Sequence, residues 1–199
     1  TLTNDNKVEV TYEATTDKTT IVNLTQHAYF NLTGDFNKDI LGHDIVINAD
    51  AYLPVDATLI PMGEIKKVEG TPFDFRKPKA IGKEIGTNNE QLILGKGYDH
   101  CWVLNGEDDT MRLVASAYDN GSGRMMEVFS DEPGIQFYTG NFLDGTLPAP
   151  SGGTYAHRTG FCLETQHFPD TPNQKDFPTV VLNPGEKYTS KTTFVFSVK

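Results

Sequence analysis

The segment with the strongest indication of chemistry is residues 160–170 (GFCLETQHFPD), whose alternating pattern predicts a β-strand. In a strand, Cys162 and Glu164 lie on the same face, so the carboxylate would sit mid-strand beside an apolar thiol. Burying a carboxylate there without a partner costs several kcal/mol. Glu164 therefore has either a basic partner, for instance Arg124 or Arg158, or a function in acid–base catalysis, and the residues alone do not decide between them.

A histidine lies in a second polar cluster, residues 23–32 (NLTQHAYFNL), within otherwise apolar strand-like sequence. His27 has apolar and aromatic neighbours. A histidine in such surroundings is more often a satisfied core residue or a surface residue than a catalytic group. By itself, His27 is a candidate acid or base that needs support from the rest of the chain.

Two further segments, residues 97–104 (GYDHCWVL) and 133–145 (PGIQFYTGNFLDG), place polar groups among aromatic residues. Asp99 stands at the entrance to a buried-looking strand, where it would cap backbone N–H groups or hold a sugar hydroxyl. The segment around Gln136 suits a carbohydrate site, since sugars offer hydroxyls to hydrogen-bond and C–H faces to pack against rings. A Tyr- and Asn-rich loop would look the same. Trp102, the single tryptophan, is expected in the core.

The elements that must position these groups are short strands. Period-two alternation of apolar residues, bounded by Gly, Pro, Asn and Asp, recurs in residues 7–12, 43–49, 111–119, 124–130 and 194–198. In the third of these runs Leu113, Ala115 and Ala117 are expected on one face, and Ile81–Ile85 is expected to form one helical turn. About ten such strands predict a single all-β domain over residues 1–199, a large antiparallel β-sandwich. Residues 54–78 and 144–153 are predicted loops.

The charge balance argues against one broad class of partner. A formal net charge of −10 at pH 7 would repel a phosphate backbone, so we expect no nucleic acid partner. The same surplus of carboxylates makes a neutral sugar a more natural ligand than a dianionic sugar phosphate. With 37% hydrophobic and 22% charged residues, the composition is that of a globular chain.

Cys101 and Cys162 are widely spaced, with no CxxC motif and no histidine cluster at metal-ligand spacing. We therefore predict two core thiols and no metal site. The longest apolar runs are a handful of residues, so we expect no transmembrane helix and no membrane partner. The sequence begins at Thr1 without an initiator Met or a signal peptide. A cytoplasmic location is the expectation, periplasmic and secreted locations stay open, and the oligomeric state is not indicated.

Taken together, these segments resemble the galactose mutarotase (aldose 1-epimerase) family. The resemblance rests on six sequence motifs: NLTQHAYFNLTG (23–34), GYDH (97–100), PGIQFYTGNFLDG (133–145), GFCLETQHFPDTPNQ (160–174), LNPGEKY (182–188) and TTFVFSV (192–198). They run in the family's order and cover nearly the whole chain. The resemblance implies the family's fold, a large antiparallel β-sandwich.

The resemblance also implies a role for each candidate residue. His27 matches the family's catalytic acid and Glu164 its catalytic base, while Asp99 and Gln136 match positions that hold sugar hydroxyls. The implied reaction interconverts the α and β anomers of free aldoses such as galactose and glucose, with no metal or redox cofactor. Family members are considerably longer and supply a sugar-binding arginine and a further histidine from their N-terminal part. The resemblance therefore implies that this chain is the C-terminal portion of such an enzyme.

Three alternatives stay open on the sequence. Asp99 and Glu164 would also serve as the carboxylate pair of a glycoside hydrolase, and the chain would also suit a non-catalytic sugar-binding module. An epimerase acting on hexose 6-phosphates is disfavoured by the acidic balance. The family resemblance is what favours an aldose 1-epimerase over all three.

Overall fold

Antiparallel strands form the framework of the computed structural model, which describes residues 1–149 and 152–199. Its strands are β1 (Lys7–Ala14), β2 (Thr20–Ile21), β3 (His43–Ile47), β4 (Ala49–Leu53), β5 (Lys66–Lys67), β6 (Lys79–Ala80), β7 (Asp99–Leu104), β8 (Arg112–Asp119), β9 (Arg124–Ser130), β10 (Gly134–Tyr138), β11 (Cys162–Gln166), β12 (Val181–Leu182) and β13 (Tyr188–Val198). The helical elements are two 3₁₀ turns and one short α-helix, at Ile81–Lys83, Thr171–Asn173 and Glu90–Leu94 (α1).

The strands form two large sheets and one small one. The six-stranded sheet has the order β1-β13-β9-β8-β3-β6, the five-stranded sheet has the order β11-β10-β7-β4-β5, and β12 pairs with β2. One buried cluster contains residues of both large sheets, among them Ile45, Met126, Phe194, Trp102, Phe137 and Leu163. The predicted antiparallel β-sandwich is confirmed.

Trp102 lies in the centre of this core, as expected. Its side chain is fully buried and its ring centroid lies 5.9 Å from that of Phe137. The indole Nε1 donates a hydrogen bond to the carbonyl oxygen of Phe73 (3.0 Å), so the polar edge of the ring is satisfied. Fully burying one large apolar side chain contributes on the order of 1.5–3 kcal/mol, so this aromatic cluster anchors the five-stranded sheet.

The prediction that Leu113, Ala115 and Ala117 share one face of β8 is wrong at Leu113. The pairing of β8 with β9 shifts register between Leu113 and Ala115. As a result Leu113 is exposed while Val114 and Ala115 are both buried. A β-bulge of this kind places one extra residue in a strand and reverses which residues face inward on either side of it. Simple alternation does not reveal it.

The helical turn expected at Ile81–Ile85 is present as the 3₁₀ turn, whereas α1 was not predicted. Asn89 caps α1, because its side-chain oxygen accepts hydrogen bonds from the backbone N–H groups of Gln91 (3.0 Å) and Leu92 (3.4 Å). A helix of five residues is too short to show a helical period in the sequence. None of the helices in the described residues has the length and hydrophobicity of a membrane-crossing segment.

The predicted loop 54–78 contains only the two-residue strand β5 and otherwise lacks regular secondary structure, as expected. The predicted loop 144–153 lies partly outside the described residues, because positions 150 and 151 are not among them. The part of it that is described, residues 144–149 and 152–153, contains no named strand or helix.

Candidate active site

The register of three neighbouring strands brings the predicted side chains together. In β10, Gln136 pairs with Glu164 of β11 on one side and with Cys101 of β7 on the other. Tyr138 pairs with Asp99 in the same way. Residues two apart in a strand, and residues paired across strands, share a face of the sheet. Asp99, Gln136 and Glu164 therefore lie on one face, opposite to the face that packs into the core.

All four predicted site residues line one cavity of about 400 Å³, to which Tyr29 and Tyr138 also contribute. A cavity of this size falls within the range of small-molecule sites. A larger cavity of about 900 Å³ lies elsewhere and contains none of the four predicted residues. Two of its basic residues are already paired, Lys79 with Glu84 at 2.7 Å and Arg76 with Asp74 at 2.8 Å. We therefore take the smaller cavity as the candidate active site.

Glu164 and His27 are in contact at this cavity. The imidazole Nε2 lies 3.6 Å from Oε1 of Glu164. The carboxylate side chain is 9% exposed and the imidazole 51% exposed, so a buried acidic group meets a histidine that solvent or a ligand can reach. The imidazole ring stacks on Tyr29 with ring centroids 5.0 Å apart and meets the ring of Tyr138 edge-on at 6.2 Å. Two aromatic rings thus lie against the imidazole, and half of its surface stays open.

Neither arginine considered as a salt-bridge partner of Glu164 pairs with it. Arg124 donates from Nη1 to the carbonyl oxygens of Leu32 (2.9 Å) and Thr33 (3.0 Å). Arg158 donates from Nη2 to the carbonyl oxygen of Lys96 (2.9 Å). Both guanidinium groups bind backbone carbonyls of loops instead, so the basic group beside this buried carboxylate is His27.

The surroundings of Glu164 raise the pKa of its carboxyl group to about 7. Burial is the larger cause, because a low-dielectric environment disfavours the charged form, and the negative charge of Asp99 adds to it. Burial likewise raises the pKa of Asp99, while its hydrogen bond from Gln136 and the proximity of His27 oppose that rise. A carboxyl group that titrates near neutrality can both accept and return a proton, as a general base must.

Asp99 and Gln136 form a second pair on the same face. Gln136 donates from Nε2 to Oδ1 of Asp99 at 2.8 Å. The other amide atom of Gln136, the acceptor Oε1, is buried and has no hydrogen-bond partner among the described residues. Buried polar atoms are almost always satisfied, so a ligand O–H group is a natural partner for this oxygen. The carboxylate of Asp99 thus bonds a side-chain amide of the site, where the sequence also allowed a backbone cap.

The segment that carries His27, residues 22–30, does not form the strand that its sequence indicated. Asn23 holds one end through reciprocal bonds with the backbone of His167, both 3.0 Å. At the other end the backbones of Phe30 and Phe161 exchange two hydrogen bonds. Between them the side chain of Gln26 accepts from the backbone N–H of Ala28 (2.9 Å), which takes the place of a strand ladder.

Cys162 was predicted as a core thiol and is fully buried, and it also borders the site. Its Sγ lies 3.4 Å from Nδ1 of His27, and burial raises the pKa of the thiol. Tyr29 and Tyr138 were not singled out either, although burial raises the pKa of Tyr29 to about 12 and also raises the pKa of Tyr138. Each tyrosine lies two positions from a predicted site residue, so strand alternation would have pointed to Tyr138. Nothing in the sequence joined Cys162 to His27.

Comparisons with known proteins give the same family as the sequence motifs. The aldose 1-epimerase family profile matches residues 1–195. Galactose mutarotase of Bos taurus is 51% identical over 189 residues, which cover 95% of this chain and 54% of that protein. Aldose 1-epimerase of Escherichia coli strain K12 is 42% identical over 199 residues, covering 98% of this chain and 56% of that protein. The chain spans about half the length of these relatives.

A solved structure described as a galactose 1-epimerase from Lactobacillus acidophilus superposes with a TM-score of 0.84 at 31% identity. The match covers 99% of this chain and 55% of that one. An aldose epimerase homologue from C. elegans gives the same TM-score at 29% identity and covers 98% of this chain and 57% of that one. The predicted fold and the family resemblance are both confirmed: the chain belongs to the aldose 1-epimerase family.

Proposed function

We propose that the protein represented by this chain interconverts the α and β anomers of free aldoses such as galactose and glucose. Residues 1–199 would act as one β-sandwich unit that supplies the acid and the base. The observation that carries the proposal is the contact between Glu164 and His27, 3.6 Å between Oε1 and Nε2, at a cavity of about 400 Å³. Because the chain spans about half of its relatives, the activity is proposed for the intact protein.

Mutarotation needs one proton removed and one proton supplied at the same anomeric centre. The O1–H proton leaves while the ring oxygen is protonated, and the bond from C1 to the ring oxygen breaks to give the open-chain aldehyde. Rotation about C1–C2 and closure by the reverse transfers give the other anomer. Both oxygens are bonded to C1, so the acid and the base must lie close together, as Glu164 and His27 do.

In this mechanism the Glu164 carboxylate accepts the O1 proton and protonated His27 donates to the ring oxygen. The pKa of about 7 for Glu164 suits a base that works near neutral pH, and positioned acid–base groups typically contribute ~10²–10⁴-fold in rate each. The stacked Tyr29 ring supports the imidazole in the orientation that the transfer requires. The chemistry requires no change in oxidation state.

Asp99 and Gln136 would hold the rest of the sugar while its C1 end turns. The buried Gln136 Oε1 is an acceptor in need of a donor, and sugar hydroxyls are donors. The hydrogen bond from Gln136 to Asp99 fixes both side chains before the sugar binds. Such positioning reduces the entropy lost in reaching the reactive geometry.

The test is Glu164→Gln in the intact protein, followed by polarimetry on fresh α-D-galactose and α-D-glucose. We expect a folded variant whose anomer equilibration falls to the uncatalysed rate, since glutamine cannot accept the proton. The matched control is Glu127→Gln, a partly buried glutamate of β9 in the other sheet, which should keep the wild-type rate.

Glu164→Gln with wild-type activity would remove Glu164 from the role of base. The same protein samples also distinguish the proposed function from two alternatives that the sequence left open. A binding module would retain galactose without accelerating its equilibration, and a glycoside hydrolase would release reducing ends from a glycoside.

A further inference from the structure

Three side chains of metal-binding type meet at the edge of the candidate site. One donor atom from each of His27, Cys162 and Glu164 lies within 4.8 Å of the others. Sγ of Cys162 is 3.4 Å from Nδ1 of His27, and Oε1 of Glu164 is 3.6 Å from Nε2. Ligand atoms in a tetrahedral zinc site are about 3.3–3.6 Å apart, given metal–ligand bonds of about 2.0–2.3 Å. Each of these two contacts has that spacing, but they involve different nitrogens of His27, so the ring must turn for one nitrogen to face both the sulfur and the carboxylate.

We propose that His27, Cys162 and Glu164 form a binding site for Zn²⁺ at which the ion excludes the sugar. A thiolate, an imidazole and a carboxylate are ligands that zinc accepts together. Mg²⁺ and Ca²⁺ prefer oxygen ligands throughout, so the sulfur selects against them. Three protein ligands leave the fourth tetrahedral position for water.

The two elements that carry the ligands differ in regularity: one is a strand and the other is an irregular segment. Cys162 and Glu164 are two residues apart in β11 and point to the same face, so their spacing is set by the strand. His27 belongs to the irregular segment 22–30, and its half-exposed ring can turn to offer one nitrogen to the ion. The strand supplies a pair of ligands at a fixed spacing, and the segment supplies the third.

The charge of the cavity also favours a dication. Asp99 and Glu164 both line it, and none of the described residues that line it is a lysine or an arginine. Cys162 is buried but is not part of a disulfide, and its sulfur already contacts the half-exposed His27. Binding exchanges the thiol proton of Cys162 for the ion and releases that proton to solvent, with no oxidation or reduction.

The consequence rests on the function proposed above. A bound ion would take the lone pairs of Glu164 and His27 that proton transfer uses, so zinc would inhibit the reaction and galactose would relieve the inhibition by competition. The site would then make the activity of this protein sensitive to thiophilic metal ions, although the reaction itself calls for none.

The test is titration of the intact protein with Co²⁺ under reducing conditions, followed by displacement with Zn²⁺. Cobalt bound to a thiolate gives a charge-transfer band in the near ultraviolet, and tetrahedral cobalt gives intense visible bands. We expect both in the wild type and their loss on adding Zn²⁺. Cys162→Ser should abolish the thiolate band and weaken Zn²⁺ binding at least roughly tenfold, no less than the loss of an outer-shell partner costs.

Two matched controls test the assignment. Cys101→Ser changes the other buried thiol and His157→Asn changes an exposed histidine, and both should keep the cobalt spectrum. His27→Asn should weaken binding as Cys162→Ser does, which covers the case of one variant that fails to fold. Absence of the thiolate band in the wild type, or its survival in Cys162→Ser, would overturn the site. The spectrum involves no turnover, so its failure is separable from failure of the epimerase proposal.

Discussion

Replacing Glu132 by glutamine tests how the fold holds the segment that carries the proposed catalytic acid. Glu132 is only 2% exposed and accepts hydrogen bonds from His167 Nδ1 at 2.7 Å and Tyr188 Oη at 3.0 Å. The backbone of His167 is in turn bonded to Asn23 in both directions. A buried carboxylate thus anchors, through one histidine, the start of the segment in which His27 lies.

The expected loss follows from the change of charge. A hydrogen bond to a charged group contributes about 1.5–3 kcal/mol and a neutral one about 0.5–1.5 kcal/mol. Glutamine keeps an acceptor but not the charge, so each of the two bonds loses about 1–1.5 kcal/mol, and Glu132→Gln should lower the free energy of unfolding by about 2–3 kcal/mol. That is a large share of the roughly 5–15 kcal/mol by which native proteins are stable.

The pair also sets a pH window for stability. Burial acts to raise the pKa of Glu132, but hydrogen bonding from His167 and other donors outweighs it and lowers that pKa from 4.5. The hydrogen bond to Glu132 raises the pKa of His167 from 6.5. The contribution of Glu132 is present above pH 4.5 and lost as pH falls through its lowered folded pKa. That of His167 is present below pH 6.5 and lost as pH rises through its raised folded pKa.

The assay is urea unfolding across this range, followed by the fluorescence of the single, fully buried Trp102. The difference in the free energy of unfolding between the wild type and Glu132→Gln should be largest between pH 4.5 and 6.5. It should become smaller below and above this range. Glu127→Gln serves again as the control and should change little. A difference below about 0.5 kcal/mol, the range of ordinary surface substitutions, would refute the reasoning, as would one that does not vary with pH.

Two further substitutions test the proposed sugar-binding role of Asp99 and Gln136 and the loop contacts next to it. Gln136→Leu removes the buried acceptor and the bond to Asp99, so the KM for galactose should rise roughly tenfold, the equivalent of about 1.4 kcal/mol, with a smaller change in kcat. Polarimetry over a range of sugar concentrations measures this, and an unchanged KM would contradict the role. Asn141→Ala removes the donor to the carbonyl oxygens of Gly95 (2.9 Å) and Tyr98 (2.8 Å). The carbonyl oxygen of Tyr98 keeps its two hydrogen bonds from Thr139 (3.1 Å each), so the buried acceptor left unsatisfied is that of Gly95. This should cost at least about 1 kcal/mol in urea unfolding, and a loss within 0.5 kcal/mol would show that water replaces the amide.

The sequence predicted local strands better than their partners. The run at 124–130 coincides with β9, because one face of that strand is buried and alternation records burial directly. The bulge at Leu113 and the helix α1 escaped, since each depends on one or two residues rather than on a period. The pairing of β10 between β7 and β11 is a long-range property that no local pattern carries.

The same contrast between local pattern and long-range contact applies to the candidate site. Each of the four candidate residues was open to a structural explanation on its own, and the family motifs joined them into one hypothesis. Arg124 and Arg158 were considered as partners for Glu164 because opposite charge is visible in a sequence, whereas proximity is not. Cys162 was assigned to the core because its spacing from the other cysteine and the histidines suits neither a metal site nor a disulfide, and its contact with His27 depends on how segment 22–30 crosses the sheet.

The position of one residue in β11 connects the stability of the fold to the chemistry of the site. Leu163 and Phe161 are fully buried in the core, and this fixes Glu164 on the opposite face. A slip of one residue in the pairing with β10 would exchange the two faces and bury the carboxylate among apolar side chains. Core packing therefore holds the proposed base in place.

Holding an ionised Glu164 at this site costs the folded state about 3 kcal/mol at pH values above 7, since one pKa unit corresponds to about 1.4 kcal/mol and its pKa rises from 4.5 to about 7. Part of that cost comes from the negative charge of Asp99, so the cavity already contains negative charge that its other groups do not fully neutralise. A dianionic sugar phosphate would add two further negative charges, whereas a free aldose adds none and brings hydroxyl donors to both carboxylates. The electrostatics that suit Glu164 to the proposed role of base near neutral pH thus also favour an uncharged sugar as the proposed substrate.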